Sequence, residues 1–128
     1  MAEGDFSRIG VIGGGGWGTA LGNLLAQKGR KVDLWVREEE VFRRIREERV
    51  NPVFLPGVPL VADLHPVRTH REAVSGKTLV VMVVPSHVYR HVAHQMLPFL
   101  KKGAVVVNAT KGIENESLRR MSEISAEV

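Results

Sequence analysis

No cysteine occurs among the 128 residues, which excludes a disulfide framework and thiol chemistry and fits a reducing compartment. Long apolar runs are missing as well. The longest, residues 79–84, falls far short of the roughly 18 residues that a membrane-spanning helix needs. Glu3 and Asp5 stand close behind Met1 with no apolar stretch between them, so no secretory signal is visible. Internal repeats, low-complexity tracts and linker-like runs are absent. Aromatic residues make up only 5%, and the basic stretch 43–49 is interrupted by Glu47 and Glu48 without aromatic spacing, which speaks against nucleic acid as a partner. What remains is 44% hydrophobic and 25% charged, with 18 Lys+Arg against 14 Asp+Glu for a net charge of +4. That balance suits an anionic partner without choosing one. The expectation is one soluble, intracellular, globular domain.

Short apolar runs alternate with helical patterns along the chain. Arg8–Ile12 reads as a strand that stops at four glycines. Behind them Trp17, Ala20, Leu21, Leu24 and Leu25 recur at helical spacing, with Gly29 as the stop. Residues 32–36 read as a second strand. Residues 38–49 read as an amphipathic helix with Val41, Phe42 and Ile45 on one side and the pairs Glu39–Arg43 and Glu40–Arg44 on the other. The segment 51–59, NPVFLPGVP, holds three prolines and a glycine and predicts a stiff, extended loop. A weak strand at 67–69 and a short helical turn precede Gly76. Residues 78–84 form the strongest strand, apolar on both faces as an interior parallel strand should be. Pro85 ends it, and Ser86 is placed to cap a helix running to about Leu100. Residues 104–109 read as another buried strand, and 117–128 as the start of a last helix. Strand–helix alternation of this kind implies an α/β fold with a doubly wound, mostly parallel sheet.

The first chemical motif is Gly13-Gly14-Gly15-Gly16-Trp17-Gly18, a G-x-G-x-x-G between a strand and a helix. The glycines serve different ends. Gly13 allows the tight turn, Gly15 the close approach of a pyrophosphate, and Gly18 the packing of helix on strand. The free N–H groups at the helix start then face the phosphates. A run of four glycines matches such a pattern easily. Its context points to a Rossmann-type dinucleotide-binding turn. The second strand ends at Arg37, where a cation suits the 2′-phosphate of NADP and can stack on adenine. Glu38–Glu40 behind it keep NAD open, and Arg37 could equally pair with a neighbouring glutamate. NADP is favoured over NAD. His87, His91 and His94 fall on one helical face at a spacing that could hold a metal, but no carboxylate or cysteine joins them, so they read as polar residues on the wet side of an amphipathic helix and no metal is expected.

The segments RIGVIGGGGWGTALGNLLAQKG, VDLWVRE, NPVFLPGVPL, VVMVVPSHVYRHV and NATKGIENESLRRMSEI occur in that order. Together they resemble the bacterial NAD(P)-dependent glycerol-3-phosphate dehydrogenases, from about Arg8 to Val128. Family members usually carry serine at the position of Gly16 and often tyrosine at that of Phe54. The resemblance implies a Rossmann-type cofactor domain with Gly13, Gly15, Gly16, Trp17 and Gly18 at the pyrophosphate, Arg37 at the adenosine end, and Phe54 and Pro85 at the cofactor. It places Ser86 beside Pro85 on the nicotinamide side. Lys111 matches a lysine that touches both cofactor and substrate phosphate, at the sheet edge where ligands bind in such folds. The implied reaction interconverts sn-glycerol 3-phosphate and dihydroxyacetone phosphate in the cytoplasm, for phospholipid synthesis. The implied enzyme is a homodimer, with no membrane insertion. Its general-base lysine belongs to a second, largely helical domain expected beyond Val128. The 128-residue chain is therefore expected to be an incomplete dinucleotide-binding domain, inactive alone. The other readings are the cofactor domain of a related reductase for another small anion, and a non-catalytic dinucleotide-binding module.

Overall fold

Five strands and four α-helices alternate along residues 8–109, the part of the chain that the computed structural model describes. They are β1 (Arg8–Ile12), α1 (Gly16–Gln27), β2 (Lys31–Trp35), α2 (Glu39–Glu48), β3 (Leu64–Val67), α3 (His70–Val74), β4 (Leu79–Met82), α4 (Tyr89–Met96) and β5 (Val105–Asn108). The strands form one sheet in the order β3-β2-β1-β4-β5, and all its pairs are parallel. Ile12, Trp35, Val67, Met82 and Asn108 stand level with one another across the sheet, so all five strands end on one line. The chain order reverses between β1 and β4. That makes the carboxyl ends of these two strands the place where an open α/β sheet leaves a crevice.

Two cores, one on each face, make the fold doubly wound, as the sequence implies. Val11, Val32, Leu34 and Val81 pack with Val41 and Ile45 of α2 and with Leu60. On the other face Ile12, Val80 and Met82 meet Ala73 and Val74 of α3 and Tyr89, Val92 and Met96 of α4. Helix α2 shows what holds such an element. Val41 and Ile45 are its buried side chains, each worth about 1.5–3 kcal/mol on burial. The surface pairs Arg43–Glu40, Arg44–Glu40 and Arg44–Glu48 add only tenths of a kcal/mol each. Arg43 turns to Glu40 and Glu47 rather than to the expected Glu39. These contacts hold the Glu40 carboxyl below its usual range, chiefly through the hydrogen bond from Arg43.

Several boundaries and surfaces differ from the sequence reading, each for a physical reason. Strand β2 starts one residue earlier than expected, and β3 occupies 64–67 rather than 67–69 because its register follows Val32↔Leu64. Helix α1 ends as expected, with Gly29 at φ +90° and its N–H on the Ala26 carbonyl. Its inner face, however, is Gly18, Thr19, Gly22, Asn23 and Ala26, while Trp17 is 60% and Leu24 48% exposed. Close packing on the sheet selects small residues: a Cβ on Gly18 would stand 1.9 Å from the Gly13 carbonyl oxygen. Arg49 caps α2 in the left-handed region, at φ +59°. Its guanidinium donates to the Val61 and Leu64 carbonyls, which ties the helix end to the loop before β3. The loop 51–59 is not extended. Leu55 N–H reaches the Asn51 carbonyl at 2.9 Å, and the chain doubles back.

After β4, Ser86 starts a 3-10 turn, Ser86–Val88, and caps nothing with its side chain. The expected single helix is a 3-10 turn, then α4, then a second 3-10 turn, Leu97–Phe99, with Pro98 inside it. Strand β5 stands at the edge of the described sheet. Val105, Val106 and Val107 are 46%, 37% and 44% exposed, not buried as their composition suggested. An apolar run marks a strand without saying which neighbours cover it. No helix among the described residues is long and apolar enough to cross a membrane.

Candidate functional site

Strand β1 hands over to α1 through Gly13–Gly15, and this turn forms the floor of a cavity of about 740 Å³ at the carboxyl edge of the sheet. That volume lies in the range of small-molecule and cofactor sites. Gly13 takes φ +133°, a backbone that side chains rarely adopt, and a Cβ there would meet the Val83 carbonyl oxygen at 2.1 Å. The tight turn expected of Gly13 is thus also a point where the backbone after β4 comes too close for a side chain. Gly15 caps α1 with φ −72° and ψ −174°, and no side chain caps the helix. Gly16, Trp17 and Gly18, whose N–H groups have no partners within the helix, line the cavity. At the missing Cβ of Gly15 there is no atom within 4 Å. Gly15 is the loop position where a ligand could touch the backbone.

The walls come from four other segments. Trp35, Arg37 and Glu38 close one end, Phe54 stands over the turn, and Val83, Val84 and Pro85 continue β4. The fourth wall is His87, Val88, His91, Val92 and Gln95. The cavity therefore gathers Gly13, Gly15, Gly16, Trp17, Gly18, Arg37, Phe54 and Pro85 in one place. Ser86 is not part of its wall. Lys111 and the segment 117–128 lie outside the described residues.

Arg37 is 76% exposed and rests against its neighbour, Nε to the Glu38 carboxylate at 3.6 Å. The pairing that its sequence context allowed is thus present, and it is an exposed contact that an incoming anion can displace at little cost. The departure at Gly16 has a structural correlate. A Cβ at this position would stand 2.6 Å from the Phe54 carbonyl oxygen, so the absence of a side chain lets the 51–55 loop sit directly on the turn.

The sequence reading set the histidines on a solvated helix face. All three are exposed, as expected there, and two of them, His87 and His91, also border the cavity. Among the described residues no group of three His, Cys, Asp or Glu side chains could hold a metal ion. Nothing in the sequence marked out His70. Its ring stacks on Trp35 at 4.3 Å, and Trp35 Nε1 donates to the Arg68 carbonyl at 3.2 Å, which fixes the indole at the cavity wall. Burial pushes the His70 pKa down, and the nearby His91 adds to it.

A depressed histidine value gives a pH dependence of definite sign. The native state is fully favoured by this group above the ordinary value of 6.5, and that advantage is lost as pH falls through the lowered folded value. Denaturation midpoints near pH ~7.5 and ~5.5, either side of that ordinary value, should differ less for His70→Phe than for the parent chain. An unchanged difference would remove His70 as the cause.

Comparison with known proteins agrees with this geometry. Residues 8–128 match the family described as NAD-dependent glycerol-3-phosphate dehydrogenase N-terminus. The chain is 54% identical over 120 residues to a glycerol-3-phosphate dehydrogenase (NAD(P)+) of Syntrophobacter fumaroxidans, covering 94% of this chain and 35% of that protein. The corresponding protein of Geobacter sulfurreducens is 49% identical over 121 residues, covering 94% and 36%. The crystal structure of glycerol-3-phosphate dehydrogenase from Coxiella burnetii superposes with a TM-score of 0.86 at 33% identity, over 94% of this chain and 37% of that one. The chain thus spans about a third of the length of the curated relatives it matches.

Proposed function

Since the chain belongs to the NAD-dependent glycerol-3-phosphate dehydrogenase family, we propose that it is the cofactor-binding part of an oxidoreductase interconverting sn-glycerol 3-phosphate and dihydroxyacetone phosphate. The observation that carries this reading is the uncapped start of α1 at the floor of the cavity, with Gly15 open to it. The residues fit a nicotinamide dinucleotide. Backbone N–H groups of the turn and the positive end of α1 would take the pyrophosphate, with no side chain in the way. Arg37 would hold the 2′-phosphate or lie over the adenine, and Glu38 offers a carboxylate to a ribose hydroxyl. Pro85 and Phe54 would confine the nicotinamide end. When bound, the nicotinamide supplies or accepts the hydride.

Lys111 is assigned to the cofactor and the substrate phosphate because it follows β5 closely, and β5 ends level with β1 at the cavity edge. The general base is assigned to the longer protein beyond Val128. Homodimer formation, a cytoplasmic setting and supply of phospholipid synthesis rest on the family resemblance alone.

Arg37 supports the choice of NADP over NAD. Arg37→Asp should lower the NADP/NAD affinity ratio by roughly tenfold or more, the loss of one charge-assisted contact at an exposed site. Titration of both cofactors against parent and variant measures it. An unchanged ratio would leave Arg37 as a surface residue paired with Glu38.

A further inference from the structure

The two polar side chains that face the glycine turn from behind belong to no part of the site described so far. Asn51 is fully buried. Its Nδ2 donates to the Gly14 carbonyl at 2.9 Å and to Thr19 Oγ1 at 2.8 Å, while its Oδ1 accepts from Phe54 N–H at 3.2 Å. Thr19, also fully buried, donates from Oγ1 to the same Gly14 carbonyl at 3.2 Å. The Gly14 oxygen therefore takes two side-chain hydrogen bonds from the protein interior. No cis peptide occurs among the described residues. In a trans peptide the C=O and the next N–H point in opposite directions. With its carbonyl drawn inwards onto Asn51 and Thr19, the Gly14–Gly15 peptide turns the Gly15 N–H outwards, to the cavity that Gly15 lines.

We infer that Asn51 and Thr19 are positioning residues that set the polarity of the phosphate-binding turn. They hold the Gly15 N–H towards an incoming pyrophosphate before the ligand arrives. Glycine makes this device necessary. A chain of four glycines has no side chains of its own to choose between peptide orientations, and a flipped peptide would present a carbonyl oxygen to the phosphate. Fixing donors in advance spares the ligand the cost of ordering them. The same asparagine fixes the backbone at Phe54, so the turn and the loop above it are set by one side chain. A second asparagine, Asn23, fastens the far end of that loop. It donates to the Pro59 carbonyl and accepts from Val61 N–H. Asn51 acts on the turn and Asn23 only on the loop, which separates the two roles.

The inference rests on the pyrophosphate reading of the cavity, and its test distinguishes the two. Dissociation constants are measured by calorimetry on the full chain for two probes. NADPH carries the pyrophosphate; adenosine 2′-monophosphate keeps base, ribose and 2′-phosphate without it. Asn51→Ala and Thr19→Val should each weaken NADPH by about tenfold or more, the scale of a charge-assisted hydrogen bond. Both should leave adenosine 2′-monophosphate within about twofold, and Thr19→Ser, which keeps the hydroxyl, should restore NADPH binding. Should Asn51→Ala fail to fold, the Thr19→Val and Thr19→Ser pair decides alone. Equal losses for both probes, or unchanged NADPH affinity in folded Thr19→Val, would overturn the positioning role. A parent chain that binds neither probe would overturn the cofactor reading itself.

Discussion

Gly15→Val should leave the chain folded and cost at least about a hundredfold in dinucleotide affinity, the equivalent of two lost charge-assisted phosphate contacts. The backbone at Gly15 is extended, a conformation that a β-branched residue adopts readily, and its Cβ would meet no atom within 4 Å. Nothing in the free protein therefore resists the substitution beyond the weaker capping preference of valine. The side chain would instead fill the space through which a phosphate must reach the backbone. Gly18→Ala is the opposite case. Its Cβ would stand 1.9 Å from the Gly13 carbonyl oxygen, so the damage falls on packing of α1 against the sheet. Thermal melting separates the two variants, and calorimetry with NADPH reads the binding. Full affinity in folded Gly15→Val would reduce the glycine turn to a mere connection.

Asp33→Ala should destabilise the fold by about 3–5 kcal/mol, the cost of leaving a buried charge without its partner. Lys77 is 3% exposed, and its Nζ lies 2.8 Å from the Asp33 carboxylate. The two remaining partners of Nζ are the Glu72 and Ser75 carbonyls, both neutral. Gly10 stands beside Asp33 in the sheet, and what its missing Cβ would meet is the Ala73 carbonyl oxygen at 2.0 Å, so this glycine serves the packing of α3 on β1. Domains of this kind have about 5–15 kcal/mol to lose, so the variant should melt far below the parent. Replacing both partners, with Asp33→Leu and Lys77→Met together, should recover most of the loss, since no charge is then stranded. Denaturant titration of the three chains tests this. A single variant as stable as the parent would mean that the two carbonyls suffice for the ammonium.

Much of the architecture was legible because the determining signals are local. The glycine turn follows β1 at the expected residue, Gly29 stops α1, and the alternation of apolar runs and helices is the parallel sheet that the structure shows. The motif set identified the family for the same reason, as each piece is contiguous. What escaped depends on contacts across the chain. Leu21 and Leu25 of α1 pack at the margin of the core as their spacing suggests, but the fully buried face is Gly18, Thr19, Gly22, Asn23 and Ala26, because the helix lies close to the sheet. Asn51 looked like one polar residue in a proline-rich loop; its importance comes from Gly14 and Thr19, far away in the chain. The Asp33–Lys77 pair joins distant parts of the sequence. His87 and His91 lie on the exposed face that their spacing indicates, but that this face also borders the cavity depends on segments distant in sequence. Which neighbours cover a strand is likewise invisible in a run of valines, and β5 stands at the edge of the described sheet.

The cavity over the glycine turn is proposed to take a nicotinamide adenine dinucleotide. Backbone amide NMR of the full chain, titrated with NADPH, tests it residue by residue. The amides of Gly14, Gly15, Gly16, Trp17, Gly18, Arg37, Phe54 and His91 should move with one common saturation curve, since their residues line the same cavity. Those of Gly29, Gly76 and Gly103, in the turns entering β2, β4 and β5 at the opposite edge of the sheet, should stay still. Saturable shifts confined to some other surface, or none at all in a folded chain, would contradict the claim.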